Sequence, residues 1–251
     1  RAFVLKAYEI PESGRQAKGT AIVNLLAVES DERITAVIQV KEFKPDRFLF
    51  LATKRGVVKK TPLAEFGSIR KSGLKAVNLD EDDELIGVKF TDGENRIMLG
   101  TRHGKAIAFP EDGVRSMGRV TRGVRGISLS DGDEVVAMDL LKADSEVLTV
   151  TEGGYGKRTP AEEYRTQTRG GKGLINMKVT DKTGPVVGIR VVRENQELML
   201  ITTDGIVIRT TVDEISLISR NTQGVKLMTL GESDRVASMA TMNRIVDTPS
   251  E

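Results

Sequence analysis

The sequence of 251 residues has no cysteine, no tryptophan and a single histidine. The missing thiols exclude a disulfide framework, an iron–sulfur site and a thiolate zinc site, and they fit a reducing compartment. One histidine is too few for a His-rich catalytic or metal centre. No apolar run approaches the ~20 residues that cross a bilayer, and the opening Arg1-Ala2-Phe3-Val4-Leu5-Lys6 has no signal-peptide pattern. A soluble, cytoplasmic protein with no membrane partner is the expectation. Net charge is also scarce: 38 basic against 36 acidic side chains leave +2. The sum predicts no class of partner, so its distribution decides.

What is present is a repeat, and a repeat sets the fold. Leu51 to Gly56, Leu99 to Gly104, Thr149 to Gly154 and Leu200 to Gly205 each place a threonine three residues before a glycine at the end of a short apolar pair. A second glycine follows at Gly19, Gly73, Gly123, Gly173 and Gly224, and six residues later comes Leu25, Leu79, Leu129, Val179 or Leu230. A polar turn and an apolar triplet close each unit, at Ile34, Leu85, Val135, Val186 and Val236. Segments such as Phe48 to Ala52, Glu197 to Ile201 and Ile206 to Arg209 are short, branched or aromatic and bounded by Gly/Asp turns, so they read as strands. The expectation is a single all-β, propeller-like domain over 1–251, of about five blades of roughly 50 residues (1–48, 49–97, 98–147, 148–198, 199–251) with little helix. A β-solenoid is the competing architecture, although its coils repeat at a shorter period. The zero tryptophan count disfavours a WD-type propeller.

Aligned on the second glycine, an arginine stands four residues before it at Arg15, Arg119, Arg169 and Arg220; the shorter second unit offers Arg70 and Lys71. The residue just before the glycine is Lys18, Arg122 or Lys172, with Gln223 in the last unit. Nine before it sits an apolar residue expected to anchor the segment in the blade: Ile10, Val114, Tyr164 or Ile215, with Phe66 in the short unit. Lys54, Arg55, Lys59, Lys60, Arg70, Lys71 and Lys75 oppose one acid, Glu65, and the acidic run Asp80 to Glu84 follows at once. Radial repetition turns such segregation into a basic belt and a separate acidic zone. Single exposed cations serve to blunt strand edges, but cations at one register across blades match the spaced phosphates of a polyanion. Ten aromatics, mostly in strand-like positions, leave no stacking platform for single strands, and no recognition helix is evident. Duplex DNA, held by its backbone, is the implied partner. Bending it half a turn over ~40 base pairs costs on the order of 10 kcal/mol, which several blades acting together can supply.

The residues at this point carry a family likeness. The stretch Tyr155 to Gly173 closely resembles the C-terminal domain of DNA gyrase A subunits, as do Tyr8-Glu9-Ile10-Pro11, Asp83-Glu84-Leu85-Ile86-Gly87-Val88, Arg115-Ser116-Met117-Gly118 and Arg220-Asn221-Thr222-Gln223-Gly224-Val225. The resemblance spans essentially the whole chain. It implies the β-pinwheel, a propeller-like fold with strands exchanged between blades, and the binding and wrapping of duplex DNA. It implies as partners the gyrase B subunit together with the rest of the gyrase A subunit. The ATP and Mg²⁺ of that enzyme, and its cleaving tyrosine, are implied to lie elsewhere, leaving no cofactor or catalytic residue here. The family's gyrase box is matched by Gln167, Arg169, Gly170, Gly171, Lys172 and Gly173, with Thr168 where a second basic residue is expected. Its principal copy belongs to a first blade that the resemblance places outside this sequence. Lys157 and Arg158 join the DNA-contact candidates from the same stretch, giving with the belt Arg15, Lys18, Lys59, Lys60, Arg70, Lys71, Arg119, Arg122 and Arg220.

Two alternatives stand beside this reading. One is the similar C-terminal domain of the topoisomerase IV A subunit, which bends DNA less. The other is a propeller serving as a protein-interaction scaffold, its acidic zone facing a basic partner. Chemistry has little footing: His103 falls at a hairpin turn where other units have Arg55, Gly153 or Asp204, Asp80 to Glu84 lack the glycine-centred spacing of a calcium loop, and no phosphate-binding GxxxxGK[ST] loop occurs. Tyr8, Tyr155 and Tyr164 are not expected to cleave DNA.

Overall fold

The computed structural model describes residues 1–14, 16–29 and 32–244. It is all-β, with no α-helix among the described residues and only single 3₁₀ turns between strands. Four antiparallel sheets follow one another. The first contains β1 (Phe48–Thr53), β2 (Val57–Pro62), β3 (Leu85–Thr91) and β6 (Val124–Arg125), in the order β3-β1-β2-β6. The second, built from β4 (Arg96–Thr101), β5 (Lys105–Pro110), β7 (Val135–Leu141) and β10 (Leu174–Ile175), has the order β10-β5-β4-β7. The third is β11-β8-β9-β14, from β8 (Glu146–Thr151), β9 (Tyr155–Pro160), β11 (Val186–Val192) and β14 (Val225–Lys226). The last has three strands, β13-β12-β15, from β12 (Gln196–Thr202), β13 (Val207–Thr211) and β15 (Val236–Asn243). β3, β7, β11 and β15, one edge strand from each sheet, lie against one another in sequence. The opposite edge of each of the first three sheets is a two-residue strand lent by the next repeat. The blades are therefore interlocked by strand exchange.

The recurring residues explain the interlock. Each hairpin turn uses its first glycine at positive φ: +78° at Gly56, +83° at Gly104, +77° at Gly154 and +81° at Gly205. The threonine three residues earlier closes the turn, its Oγ1 accepting from the backbone NH of Val57, Lys105 or Ile206 in three of the four. The carbonyl of that first glycine then receives the lent segment: Gly126 and Ile127 donate to Gly56, Asn176 and Met177 to Gly104, Leu227 and Met228 to Gly154. A side chain on Gly104 would sit 2.3 Å from the Met177 carbonyl, on a backbone that L residues rarely adopt. Gly104→Ala should therefore lose on the order of 2 kcal/mol or more, read as a lower urea midpoint.

The core lies between blades. Phe50, Val58, Leu99, Ile107, Phe109, Ile127 and Val135 form one layer from two units; Met98, Tyr164, Met177 and Val186 belong to the next, and Leu148, Leu198, Ile215 and Val236 to the third. Each fully buried apolar side chain contributes about 1.5–3 kcal/mol, so neighbouring repeats stabilise each other as in other repeat proteins. The first unit departs from the expectation of about five blades. Its Ala2 pairs only with Leu74, the register counterpart of the Ala106–Leu174 pair, and residues 34–40 form no ladder because the hairpin strand they would pair with has no counterpart in 1–47. Phe66, Val114, Tyr164 and Ile215 are buried anchors, as the spacing predicts, whereas Ile10 is exposed for want of a sheet beneath it.

Candidate nucleic-acid interface

The structure divides the cations of the sequence pattern into three groups. Lys59 and Lys157 point into the protein. The Lys59 ammonium donates to the carbonyls of Ala76, at 2.7 Å, and Arg119; that of Lys157 donates to Ser219, at 2.6 Å, and Arg220. Burial pushes both pKa values down to about 8, with a nearby acid, Glu65 or Glu163, working against it. Both residues are fully enclosed, which removes them from the expected DNA contacts. Lys60 and Arg158 are corrected likewise. Lys60 donates to the Glu111 carbonyl at 3.2 Å and covers the Phe48 ring; Arg158 pairs with Glu146 at 2.6 Å and donates to the carbonyls of Ile215 and Asp213. They hold the next repeat's loop to the strand.

The arginines four before the second glycine form the second group. Arg119 pairs with Glu65 at 3.4 Å, and Arg220 pairs with Glu163 at 3.7 Å and donates to the Ile175 carbonyl at 2.9 Å. Arg169 donates to the carbonyls of Gly113 and Arg125. Glu65, Gly113 and Glu163 each directly precede the buried anchor of the preceding blade. The regular arginine is thus a latch between adjacent blades. About a quarter of the Arg119 and Arg220 side chains remains exposed.

The box-like segment is shaped by the same exchange. Gly170 and Gly173 have positive φ, and a Cβ on Gly173 would meet the Ala106 carbonyl at 2.7 Å. Gly171 lies over Ile107, which stands where Lys59 and Lys157 stand in their strands. The Gln167 NH donates to the Ala108 carbonyl at 2.8 Å, and the Ser128 hydroxyl to Gly170. Loop docking accounts for the three glycines. Lys172 is exposed, and no hydrogen bond or ion pair holds its ammonium among the described residues.

The third group is exposed and unheld by protein partners among the described residues: Lys18, Arg70, Lys71 and Lys172 from the expected set, joined by Lys75, Arg115, Arg125, Arg165 and Lys226. Arg122 is exposed too, with only a surface pair to Asp80 at 3.1 Å. Arg15 lies outside the described residues. Lys75, Arg125 and Lys226 stand two after the second glycine; Arg125 and Lys226 are on the lent outer strands of the first and third sheets, and all three are exposed. The alignment that singled out the latch arginines holds this signal as well; Ile175 interrupts it in the fourth unit.

The acids do two jobs elsewhere. Asp83 accepts from the Arg55 NH, Asp133 from the His103 NH and Asp234 from the Asp204 NH, tying each acidic turn to a hairpin and placing His103 at a turn. Beside them runs an alternating chain of ion pairs across sheets, Glu84–Lys54–Glu134–Arg102–Glu152–Arg235. Tyr164 is buried, its hydroxyl donating to Asn176, and burial holds the phenol well above its ordinary pKa. No group of three or more metal-ligating side chains occurs among the described residues, and no helix there is long and apolar enough to cross a membrane.

Comparison with known proteins adds the lineage. The family model described as DNA gyrase C-terminal domain, beta-propeller, matches residues 1–41, 47–92, 95–142, 145–193 and 196–241. The chain is 52% identical over 244 residues to the DNA gyrase A subunit of Clostridium acetobutylicum, covering 97% of the chain and 29% of that protein. It is 55% identical over 240 residues to the Halalkalibacterium halodurans counterpart and 46% over 247 residues to that of Escherichia coli K12, covering 96% and 98% of the chain and 29% and 28% of those proteins. The chain thus spans less than a third of their length. Among solved structures, the C-terminal domain of DNA topoisomerase IV superposes with a TM-score of 0.87 at 27% identity, covering 94% of this chain and 74% of that one. The DNA gyrase A C-terminal domain superposes at 0.82 and 25% identity, covering 95% and 78%.

Proposed function

Because this chain belongs to the DNA gyrase C-terminal domain family, we propose that it binds duplex DNA along its rim and wraps it, supplying no catalytic residue of its own. The observation that carries the reading is the set of exposed cations at one register of the repeat, Arg125 and Lys226 on the lent outer strands of the first and third sheets and Lys75 at the same register in the second unit, with Arg115, Arg165 and Lys172 on other loops. Such charges meet phosphates and release counterions without reading bases. Interlocked blades give a stiff backing against which the bending cost of the duplex can be met.

In the full enzyme the wrapped segment would be offered to the gyrase B subunit together with the strand-passing parts of the gyrase A subunit, in the bacterial cytoplasm, with ATP and Mg²⁺ used there. The matching family model and the curated relatives at 46–55% identity support gyrase, while the solved gyrase and topoisomerase IV domains are about equally similar, at 25% and 27%. A nicked plasmid ligated in the presence of the chain tests the proposal. The ligated circles should carry a linking-number change that grows with protein bound. Circles identical to those closed without protein would reduce the role to binding without wrapping.

A further inference from the structure

At the outer edge of each of the first three sheets the lent strand and the second hairpin strand bring one directly opposed pair of side chains to the same face. In the first sheet, between β6 and β2, the pair is Arg125 and Val57; in the third, between β14 and β9, it is Lys226 and Tyr155; in the second, between β10 and β5, it is Ile175 and Lys105. Each pair holds one cation. Opposed residues have Cβ atoms about 4.5–5.5 Å apart, so where the lent strand of the second sheet carries Ile175, Lys105 restores the charge from the strand beside it.

Lys105 lines a cleft of about 390 Å³ with His103 from the hairpin turn, Lys178 from the lent segment and Asn221 from the loop of the next unit, backed by Ile175 and Val179. Backbone groups fix the walls: the Lys178 NH donates to the Thr222 carbonyl at 2.9 Å, and the Arg220 guanidinium donates to the Ile175 carbonyl at 2.9 Å. The polar groups of the cleft are left for something else. The Lys105 ammonium donates to the Ser130 hydroxyl at 3.1 Å, and no ion pair holds it among the described residues. The Lys178 ammonium and the Asn221 amide belong to exposed residues, and neither has a hydrogen-bond partner among the described residues. His103 lies 3.9 Å from Asp133, a carboxylate that already accepts from the His103 and Glu134 NH groups.

Neither lysine is imposed by the repeat. Lys105 stands where other units have Val57, Tyr155 or Ile206, and Lys178 where they have Ser128 or Thr229. In the first sheet the Ser128 hydroxyl donates to the carbonyl of Gly170, the counterpart of Asn221, and in the third the Lys182 ammonium covers the Tyr155 ring at 5.3 Å. Those sheets use the place for contacts within the protein. The second sheet fills it with donors that the fold does not consume.

We propose that this cleft is a phosphate site, with Lys105 and Lys178 donating to the phosphate oxygens and the Asn221 amide and His103 imidazole completing the set of donors. In the DNA-bound chain, a step that rests on the function proposed above, the phosphate is one of the duplex backbone, taken where Ile175 leaves the lent strand without a cation.

His103 is the single histidine of the sequence, so its imidazole resonances report on this cleft alone. At fixed pH, inorganic phosphate should move them saturably, sodium chloride at matched ionic strength should not, and a short duplex should move the same resonances. In Lys105→Gln, Lys178→Gln both responses should be lost, and the slope of log K for DNA against log salt should fall by about one, with roughly a tenfold loss of affinity near 0.1 M salt. Lys105→Arg, Lys178→Arg should keep the responses, which separates loss of charge from loss of fold. A shift with phosphate no larger than with chloride, or a glutamine pair that responds like the parent, would overturn the site. A response to phosphate with none to a duplex that demonstrably binds would overturn its place on the DNA path and leave a site for free phosphate. Plasmid circles closed without a linking-number change while phosphate still moves His103 would remove the wrapping and leave the site standing.

Discussion

Replacing Lys75, Arg125 and Lys226 together with alanine is expected to weaken binding to duplex DNA by on the order of 10²- to 10³-fold at about 0.1 M salt. The magnitude follows from counterion release. Each phosphate neutralised contributes ~0.9 to the slope of log K against log salt, so at 0.1 M one contact is worth nearly a decade. The slope itself should fall by about three, and the loss should be uniform across DNA sequences, because these side chains meet phosphates only. All three positions are exposed, and no hydrogen bond or ion pair holds their side chains among the described residues, so thermal unfolding should move little. Titrations at several salt concentrations check both quantities. A salt slope unchanged by the triple substitution would take the outer strands out of the interface. Lys59→Ile provides the contrast: its ammonium is spent on the Ala76 and Arg119 carbonyls, so the slope should stay as it was.

The fold was legible in the sequence because strand exchange imposes residue types that cannot be traded. Gly104 and Gly173 need positive φ against a neighbouring carbonyl, and no other residue supplies both, so these glycines recur wherever a segment is lent. The anchors Val114, Tyr164 and Ile215 recur as apolar positions because each is buried in a blade core. What the pattern could not separate is regularity imposed by a ligand from regularity imposed by the next blade. Arg119 and Arg220 keep register because Glu65 and Glu163 keep register, and the two uses leave the same trace in one sequence. Lys59 and Lys157 were unreadable for a different reason. In a run such as Val57-Val58-Lys59-Lys60 alternation alone places one lysine outward, but both are enclosed, since a loop some 60 residues later brings carbonyls over one and packs over the other. The signal of Lys75, Arg125 and Lys226 lies in the same alignment, two positions beyond the glycine, where the lent strand begins.

The buried lysines give the second large effect, on stability as a function of pH. An ordinary lysine has a pKa of 10.5, and burial lowers Lys59 and Lys157 to about 8 in the folded chain. Below pH 8 both states are charged and the cost of burying the ammonium is constant. Between pH 8 and 10.5 the unfolded chain holds protons that the folded chain has shed, so stability rises with pH, by up to about 3 kcal/mol for each lysine. Above 10.5 both states are neutral and the gain is complete. Urea midpoints should accordingly climb from pH 7.5 to pH 10, against the direction expected from surface ion pairs losing their ammonium groups. Isoleucine is the natural replacement, since Ile107 and Ile208 fill the same place in the other two strands. In the double variant Lys59→Ile, Lys157→Ile the climb should vanish. At pH 7 the exchange removes two buried charges but leaves four carbonyls, those of Ala76, Arg119, Ser219 and Arg220, without their donors, at about 1–3 kcal/mol for each that stays buried. A parent chain whose midpoint falls steadily over that range would mean that the carbonyl pairs hold the ammonium charged despite its burial. Because the same double variant should leave the DNA salt slope unaltered, the two measurements separate lysines that seat the exchanged loops from lysines that face the duplex.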